Sequence, residues 1–116
     1  MKYSIIAVVV TCNRCELLKQ TIDALLNQTY PLNKIVIIIN ESTYGTKEYL
    51  DSVIDNRLIV IHKETNEGGA GGFYYGTKEA YREGCDFVWI MDDDTICFPD
   101  SLEKMMDSYS VIQDRN

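Results

Sequence analysis

Apolar residues gather in four short runs along the chain, Ile5 to Val10, Ile35 to Ile39, Leu58 to Ile61 and Phe87 to Met91. Runs of this length predict strands at about Tyr3 to Val10, Lys34 to Ile39, Leu58 to His62 and Phe87 to Met91. In the first, second and fourth, the apolar run holds no charge, the pattern of strands covered on both faces. Between the runs the spacing turns helical. Leu18, Ile22, Leu25 and Leu26 make one stripe, and Tyr49, Leu50, Val53 and Ile54 a second. Phe73, Thr77, Ala80 and Tyr81 make a third, on a helix expected from about Gly72 to Glu83; Leu102, Met105, Met106, Tyr109 and Ile112 make a fourth. The punctuation agrees. Thr11 or Asn13 can cap the first helix, Thr29-Tyr30-Pro31 stops it, Gly84 suits the C′ position of the third, and Pro99 starts the last.

Strands and helices alternating at this spacing predict a parallel sheet with right-handed crossovers, a Rossmann-like α/β layer. At 116 residues the chain has room for one domain, and 46% hydrophobic with 25% charged residues is the composition of a soluble globular protein. The formal charge of −7, with no basic cluster, argues against nucleic acid as a partner. The first apolar run is too short to span a membrane and lacks the flanks of a signal peptide, so the chain is expected to be cytoplasmic. Cys12-Asn13-Arg14-Cys15 has the spacing of a redox pair. With one His in the chain and no proline placed to face the thiols, the four cysteines read as reduced and incidental.

Two stretches carry candidate chemistry. The fourth run ends in Asp92-Asp93-Asp94, where open α/β sheets place their ligands. Carboxylates about 4 Å apart repel by roughly 4 kcal/mol at an effective dielectric near 20. Either water dissipates this, in a solvated acidic loop, or a hard divalent cation such as Mg²⁺ or Mn²⁺ offsets it. The second stretch, Asn66-Glu67-Gly68-Gly69-Ala70-Gly71-Gly72-Phe73, holds four of the seven glycines. It follows the third strand rather than the first, so it is not a dinucleotide fingerprint. It reads either as a close-approach loop for a ligand or as a flexible turn. Arg14 could reach a phosphate; Tyr74, Tyr75 and Tyr81 read as partly buried packing.

Val8-Val9-Val10-Thr11-Cys12-Asn13-Arg14, the glycine stretch and Met91-Asp92-Asp93-Asp94 together resemble the N-terminal half of GT-A glycosyltransferases of family 2. They are most like the galactofuranosyl- and rhamnosyltransferase-like branch. The resemblance implies a GT-A nucleotide-diphospho-sugar transferase fold, with residues 1–116 forming a single nucleotide-sugar-binding domain. Thr11, Asn13 and Arg14 then match the loop against the donor nucleotide, with Asn40 also at the donor site. Asn66, Gly68 and Gly69 match the loop over the sugar and diphosphate. Asp92 and Asp94 match the metal carboxylates, with Asp93 close to the donor. The implied partners are Mn²⁺ or Mg²⁺, a UDP- or dTDP-linked sugar and a glycan acceptor, with inversion at the anomeric carbon.

The chain departs from the family pattern twice. The family's second strand usually ends in Asp-Asn, the Asp reading the base, whereas Ile39-Asn40 stands here. Members also continue into an acceptor-binding half that supplies the base, so no catalytic base is assigned and the chain is expected to be truncated before that half. A full-length enzyme of this kind is compatible with a membrane-peripheral place. Two rivals remain. Asp92-Asp93-Asp94-Thr95-Ile96 nearly matches the nucleophile motif of haloacid dehalogenase-type phosphatases, but after the wrong strand. A non-catalytic binding or assembly module, self-associating or paired with a missing half, is the other.

Overall fold

The central strand is β1 (Ile5–Thr11), and every one of its residues is buried. A computed structural model describes residues 3–12, 15–40, 45–63 and 68–114. After β1 come α1 (Cys15–Leu26), β2 (Lys34–Asn40), α2 (Thr46–Ser52), β3 (Leu58–Lys63), α3 (Gly68–Glu83), β4 (Phe87–Asp92) and α4 (Ser101–Asp114). The strands are parallel in the order β3-β2-β1-β4, with Val8 level with Val36 on one side and Ile90 on the other.

Alternation along β1 divides the core into two layers. Ile5, Ala7 and Val9 pack with Leu18, Ile22 and Leu25 of α1, Leu50 of α2, and Leu102 and Met106 of α4. Ile6, Val8 and Val10 face Ala80 of α3, with Phe73 and Tyr75 against the same cluster. Each fully buried Val, Leu or Ile contributes about 1.5–3 kcal/mol.

α3 is drawn close to the sheet by a ridge of small residues. A Cβ on Gly72 would lie 2.7 Å from Val10 Cγ1, and one on Gly76 would collide with Val8. With Ala80, these residues recur every fourth position and seat the helix over β1 and β2. The helix begins at Gly68, four residues before the expected Gly72, although each helical Gly costs roughly 1 kcal/mol.

Other expectations change as well. β4 is not covered on both faces: it is an edge strand among the described residues, and Ile90 is 53% exposed because α3 sits over β1 and β2. Tyr81, placed in the buried stripe of α3, is 85% exposed, and Thr77 is exposed too; the small ridge took their place. α2 stops at Ser52, so Val53 and Ile54 lie beyond it and Ile54 is bare to solvent. Met105 is exposed on α4, and that helix starts at Ser101 rather than at Pro99. Gly84 does adopt positive φ at the end of α3, its N–H donating to the Ala80 and Tyr81 carbonyls.

Candidate functional site

Because all four strands are parallel, the C-terminal ends of β1, β2 and β4 (Thr11, Asn40 and Asp92) share one edge. The chain leaves β1 toward β2 and later returns to β1's other side as β4. The ends of β1 and β4 therefore flank the switch point where such sheets bind ligands.

At that point the three aspartates part company. Asp93 is 0% exposed, and its Oδ2 accepts a 2.8 Å hydrogen bond from the Thr11 hydroxyl. Its backbone carbonyl accepts a 2.6 Å bond from the hydroxyl of Thr21 on α1. Thr11 and Thr21 are themselves buried. Asp92 and Asp94 are exposed on either side of it. The turn is closed by the Thr95 N–H donating to the Asp92 carbonyl at 3.3 Å. Asp94 also borders a cleft of about 260 Å³ between α1 and the segment after β4, beside Leu17, Gln20, Ile96 and Cys97.

Thr11, Asn40 and Asp93 were expected on the donor surface, and the structure buries all three. Thr11 donates its hydroxyl hydrogen to Asp93. Asn40 is 2% exposed beneath the start of α3, its Nδ2 only 3.2 Å from where a Gly72 Cβ would stand. Ile39, at the position of the family's base-reading Asp, belongs to the core. Gly68 and Gly69, expected in a loop, form the first turn of α3. The first N–H groups of a helix lack internal partners and carry its positive dipole end, which suits an anion. Asn13, Arg14 and Asn66 lie outside the described residues.

Sequence reasoning missed Thr21, although a hydroxyl within the apolar stripe of Leu18, Ile22 and Leu25 was the available signal. It also missed Lys63 at the end of β3, whose Nζ lies 3.3 Å from the Tyr75 ring centroid. The four cysteines are half-buried, and none is in a disulfide. Burial pushes the Cys85 and Cys97 thiols up, which disfavours their thiolates.

Asp92 and Asp94 carry carboxylate oxygens, the donor type that a hard divalent cation takes. Two exposed carboxylates end the strand, and among the described residues no His, Cys, Asp or Glu joins them in a cluster of three. Cations of the Mg²⁺ type are commonly held by one or two carboxylates, with substrate phosphates and water completing the shell.

The profile of glycosyl transferase family 2 matches residues 6–112, nearly the whole chain. The chain belongs to this family. Galactofuranosyltransferase GlfT1 of Mycobacterium tuberculosis H37Rv is 33% identical over 96 residues, covering 81% of this chain and 31% of the relative. The chain spans about a third of the length of the curated relatives it matches. In fold it matches S. aureus TarS 1–349 in complex with UDP, with a TM-score of 0.77 at 24% identity over 89% of this chain and 31% of that one. It also matches the mannosyltransferase PcManGT from Pyrobaculum calidifontis in complex with GDP-Man and Mn²⁺, with a TM-score of 0.69 at 23% identity over 81% and 28%. These likenesses establish the GT-A fold of the family-2 domain. Among the described residues, no helix is long and apolar enough to cross a membrane.

Proposed function

We infer that this family-2 domain binds a nucleotide-diphosphate sugar at the ends of β1 and β4 and serves transfer of that sugar, with inversion, to a glycan acceptor. The observation that carries this reading is the division of the triple Asp: Asp93 is withdrawn into the protein and Asp92 and Asp94 are presented at the switch point. A diphosphate and two carboxylates repel, so Asp92 and Asp94 are assigned to hold Mn²⁺ or Mg²⁺ between themselves and the donor. When bound, the ion supplies Lewis-acid stabilisation of the diphosphate leaving group. The amides of Gly68 and Gly69 at the start of α3 offer donors to the same phosphates, and Asn13, Arg14 and Asn66 are assigned to the donor by their motif positions. With Ile39 in the core, base selection falls to other groups, and UDP- and dTDP-linked sugars are the donors to try first. The complex of TarS with UDP supports that order.

The test is titration of UDP, GDP and dTDP with and without Mn²⁺, read by calorimetry and by thermal unfolding. Free ligand at a hundred times its dissociation constant stabilises a fold by about 2.7 kcal/mol. Mn²⁺-dependent stabilisation that Asp92→Ala or Asp94→Ala abolishes is the expected result. Absence of binding by all three nucleotides refutes the reading. It would favour a non-catalytic assembly module instead, a role that the exposed Ile90 on the edge strand β4 supports. Molar mass in solution distinguishes that module, which self-associates or pairs, from a monomer.

A further inference from the structure

Burying a carboxyl group is costly unless hydrogen bonds compensate for it. Asp93 is the one acidic side chain among the buried polar residues described, and it stands between the two carboxylates assigned to the metal. Two of its bonds come from separate elements. Thr11, the last residue of β1, holds the carboxyl at 2.8 Å, and Thr21, in the second turn of α1, holds the backbone carbonyl at 2.6 Å. Both residues are about 1% exposed, which keeps bulk water from competing for their hydroxyls. A turn anchored through both its side chain and its backbone has little freedom to swing, and the residues on either side inherit that restriction.

The geometry points to Asp93 as a positioning residue: with Thr11 and Thr21 it fixes the turn after β4 so that Asp92 and Asp94 are preorganised for the cation, and it makes no contact with the donor itself. This rests on the donor and metal reading above. It also assigns Thr11 to the scaffold beneath the site rather than to the nucleotide. Preorganised ligands bind more tightly because less ordering remains to be done on binding. Thr11→Val removes the hydroxyl at nearly constant volume and therefore tests the anchor without emptying the site.

The experiment measures the affinity of the 116-residue chain for UDP with Mn²⁺ by calorimetry, the bound-Mn²⁺ resonance signal, and the unfolding temperature without ligand. The set comprises Thr11→Val, Thr11→Ser, Thr21→Val and Asp93→Asn. Tyr30→Phe, at the far edge of the sheet, serves as a control for lost stability. Thr11→Val and Thr21→Val are expected to weaken Mn²⁺-dependent UDP binding about tenfold and broaden the Mn²⁺ signal. Thr11→Ser, which keeps the hydroxyl, is expected to restore binding to within about threefold. Tyr30→Phe lowers the unfolding temperature and leaves affinity alone. Wild-type affinity in Thr11→Val, with lost stability only, overturns the positioning role. Loss in Asp93→Asn without loss in either Val variant also overturns it, by making Asp93 a direct donor contact. If the unchanged chain binds neither Mn²⁺ nor UDP, the donor reading fails and this assignment falls with it.

Discussion

Where the strands begin, the sheet is closed by side chains bonded to backbone; where they end, it is finished by carboxylates and a glycine-led helix. At the first edge, Tyr30 Oη accepts from the Tyr3 N–H and donates to the Tyr3 carbonyl, both at 2.9 Å. Asn33 Oδ1 accepts from the Ile5 N–H, Asp86 Oδ2 from the Ser4 N–H, and Arg57 is paired with Asp55 just before β3. Every strand start is pinned by at least one of these residues. At the second edge, Asp92 and Asp94 face solvent, and Thr11 and Thr21 bond to the turn between them. On the function proposed above, one edge carries stability and the other carries chemistry. Substitutions at the two edges should separate the two properties.

The largest expected effect is at the chemical edge. Asp94→Asn should remove the whole Mn²⁺-dependent stabilisation by UDP, about 2.7 kcal/mol at a hundredfold excess over the dissociation constant. Without ligand, its melting temperature reads what the Asp94 carboxylate contributes to the fold itself. A thermal melt of both proteins, with and without Mn²⁺ and UDP, reads both numbers. A ligand-free loss of several degrees would place Asp94 among the residues that hold the fold.

Gly76 breaks the comparison in an informative way, because it belongs to a helix whose start faces the chemical edge but whose body serves the core. Gly76→Val drives a side chain into Val8 and Ile38 and should cost about 2 kcal/mol, an overpacking penalty only partly offset by better helix propensity. Urea unfolding measures it. The glycines of this helix therefore fall into two groups. Gly72 and Gly76 let the helix approach β1, while Gly68 and Gly69 form its first turn.

This division also marks the limit of what could be read before the structure was known. The four strands, their parallel direction and the triple Asp at a strand end all follow from local patterns, since apolar runs alternating with helical stripes report directly on an α/β layer. The glycine stretch invited a loop because propensity is local. The ridge of Gly72, Gly76 and Ala80 acquires meaning only once β1 lies beneath it. The same holds for Asp93. Three adjacent carboxylates are equivalent in sequence, and only hydroxyls from Thr11 and Thr21, distant along the chain, distinguish the middle one. Ile90 looked buried because an apolar run says nothing about which strand will stand at the edge.

At the closed edge, Tyr30→Phe deletes both bonds to Tyr3 and leaves the ring in place. A net hydrogen bond contributes about 0.5–1.5 kcal/mol, so the loss should be near 1.5 kcal/mol and the melting temperature about 5 °C lower. Affinity for UDP with Mn²⁺ should not change. A fall in affinity equal to that of the Thr11→Val protein would erase the distinction between the edges.

The smallest effect concerns Asp55 and is seen through pH. Arg57 Nε and Nη2 donate to its two oxygens at 3.0 and 2.9 Å, and the Arg57 N–H adds a third bond at 2.9 Å. These side-chain and backbone hydrogen bonds hold the Asp55 carboxyl at about 2, below its ordinary 3.8. A carboxyl lowered on folding stabilises the protein fully above its unfolded pKa, and that contribution disappears as pH falls from about 4 to about 2. The pair is about a quarter exposed, so solvent screening reduces the contribution to about 1 kcal/mol. Asp55→Asn should therefore be about 1 kcal/mol less stable than the parent at pH 6, and the gap should close near pH 2. Urea midpoints at the two pH values test this directly. A gap that persists unchanged at pH 2 would show that the carboxylate's charge is not what Arg57 recognises, leaving the closed edge to neutral hydrogen bonds alone.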